Sequence, residues 1–410
     1  MRSLRLAGTL VLATACVAVL SACGGSSTLV VTQPSINGIQ AGTSHAGQKL
    51  GFPSVATKNT TRVGGGDPIA DAAGVALAVY PAQGPGTHPA TVTIAPTDDW
   101  QAALASSVFM AAPLHAPVLL SGSGSLPSAT ADALATLAPY GSGAAGGAQV
   151  IRIGDTPRLK GKRTASIAGS NPYSVTAGID RLQSAVAGRA SPFVVVVSAD
   201  HPAYAMPAAG WAAESGDPIL FVSSSGVPTA TRQALLSHQH PRIYVLGPPS
   251  VISAHVVAQL RHYGIVNRVG AQGPSANSVT FASYRDPPCV KGQPCAHVPG
   301  SFGWAMRSPG HGYVLLNAAR TLDAAAAAPL SASGAYGPEL LIDSPSKLPS
   351  SLLNFFLNYA VPGYAQEGPT AAVYDHGWVI GNTNAVSLAV QSELDSVLEV
   401  RPVSTTAKGP

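Results

Sequence analysis

Arg62-Val63-Gly64-Gly65-Gly66-Asp67-Pro68 returns as Ser166-Ile167-Ala168-Gly169-Ser170-Asn171-Pro172, and again as Arg268-Val269-Gly270-Ala271-Gln272-Gly273-Pro274. The closing prolines fall 104 and then 102 residues apart. A second landmark follows each one: Ala116-Pro117-Val118-Leu119-Leu120, Asp217-Pro218-Ile219-Leu220-Phe221 and Pro338-Glu339-Leu340-Leu341-Ile342. A pattern that recurs in one order at one period is a single supersecondary unit written three times. The third landmark comes late because the third copy carries an insertion with two cysteines.

Within each copy the order reads strand, helix, strand, helix, strand. In copy two, Phe193–Val197 is a continuous apolar, β-branched run, as expected of a parallel strand buried on both faces. An Ala-rich helix over Pro202–Ala213 follows, interrupted by Pro207, then a strand at Ile219–Val222 and a helix from Pro228. The run Arg242–Gly247 closes the unit. Copy one supplies strands at Thr91–Ala95, Val118–Ser121 and Val150–Ile153. Copy three supplies Tyr313–Leu316, Leu340–Ile342 and either Ala371–Tyr374 or Trp378–Ile380. Strands alternating with helices predict parallel sheets with right-handed crossovers. The fold class is therefore α/β: three tandem Rossmann-like repeats, each a parallel sheet flanked by helices.

The N-terminus has a different character. Arg2 and Arg5 precede an apolar run to Leu20, which ends in Leu20-Ser21-Ala22-Cys23. A charged start, a short apolar stretch and small residues before the end describe a secretory leader rather than a membrane span. The last four residues resemble the lipobox of bacterial lipoproteins, which implies lipid attachment at Cys23 and an extracytoplasmic location on the outer face of the membrane. The expected layout is a leader over 1–22, a flexible tether over 23–60, repeats over 61–165, 166–267 and 268–402, and a tail over 403–410. Cys289 and Cys295, in a Pro/Gly-rich loop, read as a disulfide in that oxidising compartment.

Without residues 1–22 the chain carries 21 basic and 19 acidic residues and no basic run long enough to call for nucleic acid. Arg152, Arg158, Lys160, Lys162 and Arg163 form a local basic cluster, read as a solvated linker between copies one and two. Only 10% of residues are charged, so the polar surface rests on hydroxyls, amides and backbone, a composition that suits contact with sugars or wall polymer and that a GC-rich coding bias produces equally well.

The repeats resemble the type 2 cell-wall-binding repeat family, which usually occurs as three tandem copies. Ile167-Ala168-Gly169-Ser170-Asn171-Pro172-Tyr173 with Thr176-Ala177 carries the likeness at the opening. Leu322-Asp323-Ala324-Ala325 carries it in the middle, and Ile380-Gly381-Asn382-Thr383-Asn384-Ala385-Val386-Ser387 at the end. The resemblance implies a pseudo-threefold arrangement and non-covalent binding of anionic or glycan wall polymer at clefts between repeats. By position it implies roles for the trios Val118-Leu119-Leu120, Ile219-Leu220-Phe221 and Leu340-Leu341-Ile342, and for the opening arginines Arg62 and Arg268. Copy two has Ser166 at the arginine position, and Pro68, Pro172 and Pro274 stand where the family has a second arginine. Proline cannot pair with an anion, so the cations for such a polymer must come from elsewhere.

Ligands of open parallel sheets sit beyond the carboxyl ends of strands. That rule adds Asp99, Trp100, Asp200 and Asp323 as polymer-binding candidates, with helix capping as the other role open to the carboxylates. Gly141-Ser142-Gly143-Ala144-Ala145-Gly146 fits a dinucleotide pattern but precedes a strand instead of following one, so it reads as a loop. His238 and His240 read as surface histidines. No nucleophile elbow, phosphate loop or metal-ligand spacing is present, so no catalytic residue, metal or cofactor is expected. The expectation is a non-enzymatic, lipid-anchored wall-binding protein; the alternative is a lipoprotein receptor that takes a small solute in an inter-domain cleft.

Overall fold

The computed structural model describes residues 54–287, 301–334, 336–365 and 368–402. The leader, Cys23, the pair Cys289 and Cys295, and the tail lie outside them. The described residues form fifteen strands: β1 (Ser54–Ala56), β2 (Thr60–Val63), β3 (Val92–Pro96), β4 (Val118–Ser121), β5 (Val150–Ile153), β6 (Thr164–Ile167), β7 (Phe193–Ser198), β8 (Ile219–Val222), β9 (Arg242–Leu246), β10 (Ile265–Val269), β11 (Gly312–Asn317), β12 (Glu339–Ile342), β13 (Gly363–Tyr364), β14 (His376–Ile380) and β15 (Arg401–Pro402).

Twelve of them build three parallel sheets of one design. The orders are β4-β3-β5-β6, β8-β7-β9-β10 and β12-β11-β14-β2, the last edged by antiparallel β1. Each sheet takes three strands from one repeat. Its fourth strand is the opening segment of another: β6 opens repeat two, β10 opens repeat three, and β2 opens repeat one. Because β2 pairs in parallel with β14, residues 60–63 lie beside residues 377–380 and the three sheets close into a ring.

The buried runs form strands where expected, since every residue of β3, β4, β7, β8, β11 and β12 is buried. The helix expected over Pro202–Ala213 splits into Pro202–Ala205 and Pro207–Ser215, because Pro207 has no N–H to continue the ladder. The last strand of copy three is β14, and Pro369–Ala371 forms a single 3-10 turn. Residues 54–60, read as tether, form β1 and the start of β2. A half-buried strand of three residues leaves almost no periodicity to read.

Three Ala-rich helices, Trp100–Ser106, Pro207–Ser215 and Thr321–Ser331, follow the first strand of each sheet and pack on one another inside the ring. Their small side chains let the backbones approach closely. At Gly210 a Cβ would lie 2.6 Å from Ser331 Oγ, so this crossing admits no side chain. Two further contacts lock the ring. A Cβ on Gly64 would lie 2.7 Å from the Gly381 carbonyl carbon, and one on Gly270 would lie 2.6 Å from that of Gly247. The glycine of each Arg-Val-Gly opening is thus where the strand leaves a neighbouring sheet in backbone contact.

The described ends of the third repeat's insertion are anchored on the second sheet. Phe302 stacks on Tyr244 at 3.6 Å and packs edge-on against Trp211. Buried Asp286 accepts hydrogen bonds from Arg242, Tyr244, Tyr284 and the Phe302 N–H. His238, expected at the surface, is buried. Its Nε2 lies 3.0 Å from Asp180 on the helix Pro172–Val186, and its Nδ1 lies 2.7 Å from the Ser191 carbonyl. A local polar context could not show that a helix 58 residues earlier would cover it.

Candidate functional site

The three apolar trios lie on β4, β8 and β12, each residue at most 1% exposed. They are sheet core. Phe221 of the second trio meets Trp100 of the first repeat edge-on at 5.5 Å, so this tryptophan is part of the joint between the two repeats.

The opening arginines also turn inward, Arg62 buried and Arg268 half-buried. Arg62, 5% exposed, donates from Nε to Gln391 Oε1 at 2.9 Å, and from Nη1 to the carbonyls of Gly381 at 2.8 Å and Asn382 at 3.0 Å. Its Nη2 donates to Val386 O at 2.7 Å. Four of the five guanidinium N–H groups are therefore spent on the loop after β14 and the helix Leu388–Val397. Burial lowers its pKa to about 10, which still leaves it charged at neutral pH. Arg268 does the same for the loop after β9, donating to Gly247 O at 2.6 Å and Ile252 O at 2.7 Å. Repeat two has Ser166 at this place, yet the cation persists. Arg152 lies directly across from Ser166 in the parallel pair β5/β6 and donates to the carbonyls of Gly154 and Thr156 in the loop after β5. The arginine has moved to the neighbouring strand while its acceptors stay in place.

The carboxylates divide among structural positions. Asp99 caps the helix Trp100–Ser106, accepting from Ala102 N at 2.9 Å, and burial raises its pKa. Asp200 is exposed and accepts from Ser224 N at 2.6 Å, tying the ends of β7 and β8. Asp323 is fully buried in a joint between repeats one and three: Arg320 donates to Asp323 and, at 2.7 Å, to Asp71, which also accepts from Gly65 N at 2.6 Å. Burial first, and then the Asp323 charge, push Asp71 up to about 8. Among the described residues no three His, Cys, Asp or Glu side chains gather as a metal-ligand set. The buried His238–Asp180 pair has both ring nitrogens engaged, with no hydroxyl bonded to either.

One open region carries unspent charge. Beyond the carboxyl ends of β4 and β5 lies a groove of about 830 Å³, walled by Ser123-Gly124-Ser125 on one side and by residues 155–162 on the other. Arg158, Lys160 and Lys162 line it, and Leu126, Leu134 and Leu159 supply its apolar surface. These cations belong to the cluster read from sequence as a solvated linker. Its basic composition was visible there, but not its position at strand ends.

The family model described as Cell wall binding domain 2 (CWB2) matches residues 166–257. The resemblance to type 2 cell-wall-binding repeats thus holds on the second copy. Among solved structures, Cwp6 from Clostridium difficile matches with a TM-score of 0.62 at 15% identity, over 85% of this chain and 51% of its own. Cwp8 from the same organism matches with a TM-score of 0.60 at 14% identity, over 83% of this chain and 52% of its own. At such identities the likeness shows the fold, repeated α/β units with parallel sheets flanked by helices. The chain spans about half the length of these two structures. No curated protein matches it.

Proposed function

We propose that this chain is a non-enzymatic cell-envelope protein that binds cell-wall polymer without covalent chemistry, held at the outer face of the membrane by lipid on Cys23. The observation that carries the reading is the match of residues 166–257 to a cell wall binding domain, set in a ring that makes the three repeats one body. A strand exchanged at each junction leaves no simple hinge between two lobes, which argues against the solute-receptor alternative. The polar but weakly charged surface suits a glycan, and a polyanion would meet cations other than the opening arginines, which are engaged internally.

The test is a pull-down of the full chain, purified in detergent, on wall sacculi with and without their anionic polymers, across a salt series. Salt-sensitive binding that disappears from stripped walls is the expected result. Retention no better than that of an unrelated lipoprotein would refute wall binding.

A further inference from the structure

The groove in repeat one exists because a helix is missing. In repeat two the connection from β9 to β10 runs over residues 247–264 and holds the helix Ala254–Leu260. Its Val256, Val257 and Leu260 share one buried cluster with Val227 and Leu235. In repeat three the helix Leu388–Val397 follows β14 and packs on the helix Ser350–Asn358, burying Val390 and Leu394. In repeat one the connection from β5 to β6 is only residues 154–163 and has no helix. Leu126 immediately precedes a proline, as Val227 and Leu348 do, and Leu134 stands seven residues after it, as Leu235 and Phe356 do. In the other repeats this surface lies under a helix. Here the short connection puts only Leu159 against the cluster of Leu134, which stays buried, and Leu126, Leu134 and Leu159 form the floor of the groove.

What replaces the helix is cationic. Arg158 and Lys160 are exposed and Lys162 half-buried, and none of the three charged side-chain groups has a hydrogen-bond or ion-pair partner among the described residues. By contrast Lys58, also exposed, is paired with Glu399. Arg152 sits at the inner end and fixes the loop through the Gly154 and Thr156 carbonyls. The lining holds four cations against one carboxylate, Asp155. Like charges held close without partners are costly at low ionic strength and are relieved by an anion. Ser123 and Ser125 offer hydroxyls opposite them, and half-buried Leu126 and Leu159 leave some apolar surface for the carbon faces of sugars or a polyol. The groove is open rather than enclosed, the shape for a segment of a chain.

We propose that this groove, vacated by the helix and rebuilt with Arg158, Lys160 and Lys162, is a docking site for an extended polyanion bearing phosphate or carboxylate groups. It rests on the wall-binding reading only for the source of that polyanion.

The experiment compares the full chain in detergent with the triple variant Arg158→Ala, Lys160→Ala, Lys162→Ala. A charge-loss control, Arg232→Ala, Arg261→Ala, Lys347→Ala, removes as many cations elsewhere. Arg158 and Lys160 are exposed and the half-buried Lys162 side chain spends its charge on no partner among the described residues, so the melting curve should be unchanged. The probes are soluble polyphosphate, soluble polygalacturonate, and wall sacculi. The expected result is a loss of about tenfold or more in affinity for one polyanion in the groove variant alone, the preferred probe distinguishing phosphate from carboxylate chemistry. Parallel loss of wall retention supports both readings. If polyanion binding depends on the groove but the wild type ignores walls, the site stands and the wall reading fails. If the wild type holds walls and the variant holds them equally, the groove proposal is overturned and the wall reading stands. No binding to any probe overturns both.

Discussion

Replacing Arg62 by alanine should loosen the closure of the ring. The side chain holds four acceptors at 2.7 to 3.0 Å, three of them backbone carbonyls in the chain leading from β14 to its following helix. Hydrogen bonds from a charged donor contribute about 1.5–3 kcal/mol each, and an acceptor left buried and empty costs about 1–3 kcal/mol. The simple sum overstates the effect, because water can enter the space the side chain leaves and satisfy some carbonyls. A loss of about 3–5 kcal/mol is expected, at the upper end for a single substitution. A ring of repeats need not unfold in one step, so the assay should be local. Amide hydrogen exchange at residues 60–63 and 377–381 reads the β2/β14 pair directly, and Trp378, in register with Thr61, gives a fluorescence reporter on the same strands. Protection in this pair should fall while that of β7 and β9 stays near wild type. Unchanged protection at β2 would refute the closure argument.

Two further outcomes follow from particular side chains. Arg152→Ser should destabilise the loop after β5 by about 1–2 kcal/mol in urea unfolding, and adding Ser166→Arg should restore most of it, since the two positions face each other across β5/β6; additive losses would show that the cation cannot serve from either strand. Glu339 is fully buried with no charged partner, only the Gly210 backbone N–H favouring its carboxylate, and burial raises its pKa well above the ordinary range. The folded state then keeps a proton that the unfolded state releases above about pH 4.3, so stability should fall as pH rises from there. Glu339→Gln should flatten that slope and raise the melting temperature at pH 8, and a variant with the wild-type pH profile would contradict this.

Local pattern made the repeats legible. The run Phe193–Val197 had to be an internal strand because nothing else hides five consecutive apolar, mostly β-branched residues on both faces. The Ala-rich segments were recognisable as helices, and Pro207 marked where one would break. Candidate residues were less legible. Arg62, Asp323 and the apolar trios stand at positions the family resemblance or strand-end rule picks out, yet their side chains are used inside the fold. The cations around Arg158 were plain in the sequence and were read as a linker. What gives them a surface to act on is the shortened β5–β6 connection, which is evident only when repeats one and two are laid side by side in space.

By itself, the sequence determined the repeated α/β units and their parallel strands, because burial and helix breaking are recorded in neighbouring residues. The tertiary structure alone decided which sheet each opening strand joins, that residues 60–63 return to residues 377–380 to close a ring, and that Arg152 takes the place of an arginine missing at Ser166. Alternation and composition say that a strand is buried, not whose edge it will meet. For β2 that choice is made by backbone hydrogen bonds and carbonyl acceptors more than 300 residues away, at a loop-closure cost that grows only slowly with distance along the chain.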